Sequence, residues 1–140
     1  MNFSEQSKGQ KKILFVCVEN AGRSQMAEGF FRKYAPNGYE SISAGTKPTH
    51  QINPVAVEAM KEVGIDLGTQ KPKMLTSEII QDSVLSVNMG CMDKTECPAL
   101  FMKNLVDWNI EDPKGKSLEQ VRKIRDTIEQ KVREICKTLE

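Results

Sequence analysis

Only one histidine and one tryptophan occur among the 140 residues, and the four cysteines form no Cys-x-x-Cys pair. A finger-like zinc site needs four nitrogen or sulfur ligands at close spacing, so structural zinc is set aside and no metal is expected. No apolar run approaches the ~18 residues of a spanning helix. Charge of one sign is also lacking: 20 basic residues face 19 acidic ones, for a net charge of +1. That balance gives no electrostatic case for nucleic acid or a membrane surface as partner. The opening "MNFSEQSKGQKK" has no signal-peptide apolar region and reads as a disordered lead-in over 1–11. Residues 12–140 then form a single domain large enough to bury a core without disulfide staples. Cys17, Cys91, Cys97 and Cys136 are therefore expected as thiols in a reducing cytoplasm.

What is present is a regular alternation. "KKILFVC" is a continuous apolar run after a basic step, the pattern of a buried parallel strand. "SQMAEGFFRKYA" spaces Met26, Ala27, Phe30, Phe31 and Tyr34 helically, and Pro36 and Gly38 stop it. "YESISAG" is a short strand. "NPVAVEAMKEVGI" is a helix with Asn53 as cap, Pro54 at its first position and Gly64 at its end. "TSEIIQD" is a short helix capped by Thr76 or Ser77, and "SVLSVNM" and "LVDW" are strands. The last helix carries the stripe Leu118, Val121, Ile124, Ile128, Val132, Ile135 and Leu139. Cys136, four residues from Val132, reads as core, and His50 as an ordinary loop residue. Strands alternating with helices imply an α/β fold with a parallel sheet covered on both faces. Right-handed crossovers put the loops after the strands on one edge, where such sheets bind ligands.

The first of those loops is "CVENAGRS". A strand-to-helix loop turns backbone N–H groups inward, and the helix dipole adds positive potential, which makes an anion cradle. Val18, Glu19, Asn20, Ala21, Gly22, Arg23 and Ser24 are the candidate oxyanion-binding residues. Arg23 supplies a planar fork for two oxygens of a tetrahedral anion. Such surroundings favour a thiolate, so Cys17 is the candidate nucleophile, aimed at what Arg23 holds. Ser24 can donate to the sulfur and Asn20 can pin the loop. A leaving oxygen needs a proton, and "DWNIEDPKGK" offers Asp107, Glu111 and Asp112 on another strand-end loop. The proline after Asp112 restricts its backbone. Cys91 and Cys97, in "NMGCMDKTECPAL", follow a strand and lie on the same edge. Two thiols on a polar loop beside a nucleophilic thiol suggest a thiol–disulfide relay.

Together "CVENAGRSQMAEGF", "SAGT", "NPVAVEAMKEVGID", "MGCMDKTECP" and "WNIEDPKGK" resemble the thiol-dependent arsenate reductases of the low-molecular-weight tyrosine phosphatase superfamily. The resemblance covers nearly the whole chain from Lys12. The loop alone indicates the superfamily; "RSQMAEG", the cysteine pair and "DPKGK" point to the reductase branch. It implies a three-layer sandwich whose four-stranded parallel sheet is flanked by helices. It further implies that Cys17 attacks arsenate, that Arg23 and the loop amides hold its oxygens, and that Asp112 protonates the leaving oxygen. Cys91 then attacks the adduct, arsenite leaves, and Cys97 resolves the Cys17–Cys91 disulfide to a Cys91–Cys97 disulfide. Thioredoxin is the implied reductant, with mycothiol- or glutaredoxin-type coupling as alternatives. The expected protein is a monomer without cofactor, for which phosphate and sulfate are substrate analogues.

Departures from the family pattern matter. Glu19 stands where glycine is common, and Gly22 where some relatives have cysteine. Relatives that bind potassium do so through residues matching Asn20, Ser24, Glu28 and an aspartate; here that segment reads "LGTQKPK", with Lys71 and Lys73. A lysine ammonium in the metal's place predicts no bound potassium. The second reading is a phosphatase that hydrolyses phosphate monoesters through a Cys17 phosphocysteine. That branch usually has an aromatic residue after the Asp-Pro, where this chain has Lys114 and Gly115, and it has no need of Cys91 and Cys97. Weak phosphatase activity is expected on either reading. A third reading is a non-enzymatic redox-sensing or anion-binding protein.

Overall fold

The computed structural model describes residues 10–90 and 104–140. Within them β1 (Lys11–Cys17), α1 (Arg23–Tyr34), β2 (Tyr39–Gly45), α2 (Pro54–Lys61), α3 (Ser77–Asp82), β3 (Ser83–Asn88), β4 (Leu105–Asp107) and α4 (Leu118–Thr138) follow in order. The strands form one parallel sheet, as the alternating pattern predicts, and its strand order is β2-β1-β3-β4. The chain moves from β1 outward to β2 and then returns to the other side of β1. The strand order therefore reverses at β1, and a crevice opens at the carboxyl ends of β1 and β3.

Side-chain alternation along β1 divides the core in two. Ile13, Phe15 and Cys17 face the layer of α1, α2 and α4, where Met26, Phe30, Phe31, Met60, Ile128 and Val132 complete the larger cluster. Leu14 and Val16 face the other way, against Leu75 and the partly buried Ile79 and Ile80 by α3. Helices thus cover both faces. The stripe read along α4 is buried at Val121, Ile124, Ile128 and Val132 and half-buried at Leu118, Ile135 and Leu139. Cys136 belongs to this core, and its burial pushes the thiol's pKa up. His50 is an exposed loop residue. No described helix is long and apolar enough to cross a membrane.

Caps set the helix starts. The Asn53 side chain accepts from the Val55 N–H with Pro54 at the first position, Thr76 accepts from Ile79, and Ser117 and Gln120 form a capping box. Helix α1 begins at Arg23, one residue earlier than its apolar spacing predicts, and its N-cap is Gly22, with no side-chain cap bond. The register of α4 is pinned by charge as well. Arg125 is buried and donates to the Ala59 carbonyl and to Glu62; Arg122 adds two nitrogens to the same carboxylate.

Two outcomes follow from this packing. Phe15 is fully buried between the Phe31 and Trp108 rings, with centroids at 6.0 and 5.9 Å. Phe15→Ala is expected to cost about 3–5 kcal/mol in urea unfolding, and a loss below about 1 kcal/mol would contradict the packing. The second concerns Glu62, whose pKa is lowered from 4.5 to about 2, first by the Arg122 hydrogen bonds and then by those of Arg125. A carboxylate with a depressed folded-state pKa stabilises fully above its unfolded value. That contribution is lost as pH falls from about 4.5 through about 2. Carboxyl NMR should place the Glu62 midpoint near 2 and find it moved toward 4.5 in Arg122→Met.

Candidate functional site

Cys17 ends β1, and residues 18–22 form a loop whose carbonyls are all held by hydrogen bonds. The carbonyls of Cys17, Val18, Glu19 and Ala21 accept from the N–H groups of Thr46, Lys47, Thr49 and Asn53. In a trans peptide the C=O and N–H point in opposite directions. Anchoring these carbonyls on the segment after β2 therefore turns the amides of Val18, Glu19, Asn20 and Gly22 to the other side. The Asn20 N–H is seen there, donating to Cys17 Sγ at 3.2 Å. Gly22, as N-cap of α1, puts no side chain where an anion would sit.

Asn20 is fully buried and left-handed, with φ 51°. Its Nδ2 donates to Ser24 Oγ at 2.7 Å, and Ser24 Oγ lies 2.8 Å from Cys17 Sγ. Because Ser24 accepts from Asn20, its own hydrogen is available to the sulfur. Asn20 Oδ1 accepts from the Lys73 N–H at 2.8 Å and from Gln25 Nε2 at 3.0 Å. Gln25 also donates to the Asn20 and Lys71 carbonyls and accepts from Gln70. Gln25 and Gln70 were invisible to apolar periodicity, because both are buried polar residues that pair with each other and with backbone.

Arg23 is 11% exposed. Its Nη1 donates to the Ile110 carbonyl at 3.1 Å, and its Nη2 lies 3.6 Å from Asp112 Oδ2. Behind the fork is Gly90, at φ +128°, where an added Cβ would fall 2.9 Å from Arg23 Cζ. Asp112 is 54% exposed, and its Oδ1 accepts from the Lys114 N–H. The ring of Pro113 packs on Gly22 so closely that a Cβ there would come within 2.7 Å of Cγ. Glycine at this position thus lets the loop carrying Asp112 lie against the loop carrying Cys17.

These elements enclose a pocket of about 310 Å³ lined by Cys17–Glu19, Ala21–Arg23, Thr49, Gln51–Pro54 and Asp112–Gly115. The structure thus brings Cys17, Arg23 and Asp112 together. Asp107 instead accepts from Asn88 Nδ2, and Glu111 pairs with Lys116. Cys91 and Cys97 lie outside the described residues; Gly90, which precedes Cys91, packs on Arg23. Where the resemblance groups Asn20, Ser24 and Glu28 as cation ligands, Ser24 is taken by the sulfur, and Ser43 is the serine that donates to Glu28, at 2.7 Å. Lys73 Nζ stands 3.6 Å from Glu28 Oε1. An ammonium thus sits beside that carboxylate.

A buried strand running into a loop of inward amides, with a thiol at one end and an arginine at the helix start, defines a cysteine-dependent phosphatase-type site. The family model described as low molecular weight phosphotyrosine protein phosphatase matches residues 12–140, and the chain belongs to that family. An arsenate reductase of Brevibacillus brevis is 37% identical over 130 residues, covering 92% of this chain and 96% of the relative. Among solved structures, an arsenate reductase in the phosphate binding state superposes with a TM-score of 0.83 at 30% identity, covering 94% of this chain and all of that one (100%). A thioredoxin-dependent arsenate reductase of Corynebacterium glutamicum gives 0.78 at 32% identity over 96% of this chain and 64% of that chain. An arginine phosphatase from Geobacillus stearothermophilus gives 0.82 at 26% identity over 92% of each.

Gly90 provides a direct test of the pocket. Gly90→Ala puts a methyl group into the Arg23 guanidinium and strains a positive φ. Inorganic phosphate should then bind about tenfold or more weakly by calorimetry, the loss of one charge-assisted contact. Unchanged affinity would mean that Arg23 is not held as described.

Proposed function

We propose that the chain is an arsenate reductase that works as a cytoplasmic monomer with thioredoxin as its reductant. The pocket that gathers Cys17 Sγ, its Ser24 and Asn20 donors, Arg23 and Asp112 supports the first step, and the presence of Cys91 and Cys97 in the sequence is the observation that carries reduction over hydrolysis. The arsenate reductase relatives and the thioredoxin-dependent neighbour favour the same chemistry.

The pocket geometry supports the roles of Cys17, Arg23 and Asp112, whereas those of Cys91 and Cys97 are the ones the family resemblance implies. The loop amides and Arg23 hold three oxygens of arsenate, which requires Arg23 to exchange its Ile110 and Asp112 contacts for the anion. Cys17 thiolate forms a bond to arsenic, and an oxygen leaves as water with a proton from Asp112. Cys91 thiolate then attacks the Cys17 sulfur. The arsenic–sulfur bond breaks with its electron pair going to arsenic, so arsenic(V) becomes arsenic(III) while two thiols become the Cys17–Cys91 disulfide. Cys97 attacks Cys91 and frees Cys17 for another turnover. Thioredoxin reduces the Cys91–Cys97 disulfide.

Phosphate-ester hydrolysis is the second reading, and the family description itself favours it. It ends the sequence after the first step, with water attacking the Cys17 adduct. Arsenite release, followed with thioredoxin, thioredoxin reductase and NADPH, separates the two. Cys17→Ser is expected to abolish both arsenite release and hydrolysis of a small aryl phosphate. Cys91→Ser and Cys97→Ser are expected to end multiple-turnover arsenite release and to leave aryl phosphate hydrolysis within about threefold of wild type. Arsenate reduction that survives all three substitutions would refute the relay.

A further inference from the structure

The Glu19 side chain has no part in the chemistry above, yet it lines the pocket and is only 30% exposed. An unpaired carboxylate there repels the dianion that the loop attracts. Its Oε1 lies 3.1 Å from Lys114 Nζ. Lys114 comes from the opposite wall, where its N–H donates to Asp112 Oδ1 and the preceding Pro113 packs on Gly22. The ion pair therefore spans from the wall bearing Cys17 to the wall bearing Asp112. Lys114 is 72% exposed, so the pair adds little to stability. Its effect is local, on the field in the pocket and on the gap through which any substituent on the anion must pass. None of the described lining residues is aromatic, so such a substituent has no ring to pack against.

We propose that Glu19 and Lys114 form a specificity-determining clasp across the pocket mouth. Lys114 screens the Glu19 carboxylate so that a free inorganic oxyanion can enter, and the bridged side chains obstruct esters of that anion. The inference rests on the pocket being an oxyanion site, but not on the disulfide relay. Its consequences are read with phosphate and an aryl phosphate rather than by arsenate reduction.

The experiment measures inorganic phosphate binding to the reduced full chain by calorimetry at low ionic strength, together with p-nitrophenyl phosphate hydrolysis. Lys114→Met is expected to weaken phosphate binding about three- to tenfold, with the deficit shrinking as salt is added. Adding Glu19→Gln to that variant is expected to restore affinity to within about twofold of wild type, because no charge is left to screen. The double variant should also raise kcat/KM for the ester about threefold or more over wild type. Wild-type affinity in Lys114→Met would overturn the screening role. A deficit that Glu19→Gln does not restore would overturn it too, since Lys114 would then contact the anion directly. Ester hydrolysis no faster in the double variant would overturn the obstruction. A wild-type chain that binds no phosphate would overturn this inference and the oxyanion reading of the pocket together.

Discussion

The site depends on the orientation of a few peptide planes. The carbonyls of Cys17 and of three residues in the loop after it are tied to amides of the segment between β2 and α2, and this turns the loop's own amides to the opposite side. The left-handed Asn20 keeps the turn in place, since its side chain bridges Ser24, Lys73 and Gln25 while its N–H reaches the sulfur. A loop without such ties would leave its peptide planes free to rotate. The orientation of these amides is therefore fixed by contacts outside the loop.

Sheet topology supplies the remaining parts. Because strand order reverses at β1, the segments after β1, β3 and β4 converge on one crevice. β1 contributes the thiol, β3 leads into Gly90, and β4 leads to the loop with Asp112. The close approaches at Gly22 and Gly90 let the neighbouring loops reach the cradle and its arginine. The Arg23 fork meets the Ile110 carbonyl and the Asp112 carboxylate, so a single guanidinium ties the start of α1 to the segment after β4.

Much of this was legible in the residue order. The apolar run ending at Cys17, the capped helix at Asn53 and the stripe of α4 carry periods that burial enforces. Cys17, Arg23 and Ser24 could be read as a unit because a strand-loop-helix junction leaves them few other arrangements. Asp112 could be picked from three acids only by its proline; coordinates separate it from Asp107 and Glu111, which have other partners. The Gln25–Gln70 pair could not be read, since buried polar residues that meet across 45 positions of sequence leave no periodic mark. Nor could the exchange of Ser24 for Ser43 beside Glu28, which depends on β2 lying next to β1.

Hydrolysis and reduction share their first step, so the cradle alone does not choose between them. The choice lies in what reaches the Cys17 adduct next. Water leads to hydrolysis and regenerates the oxyanion, whereas a second thiolate takes the sulfur and leaves its electron pair on the central atom. Arsenic accepts that pair because arsenic(III) is a stable product; phosphorus in a phosphocysteine has no comparable reduced state within reach of a thiol. A family built on one cradle can therefore divide by the chemistry of the loops around it. This chain has Lys114 and Gly115 after Asp112 and Pro113, and two further cysteines, Cys91 and Cys97, in its sequence. A thiol that reaches such an adduct directs it to electron transfer, and a water molecule directs it to hydrolysis.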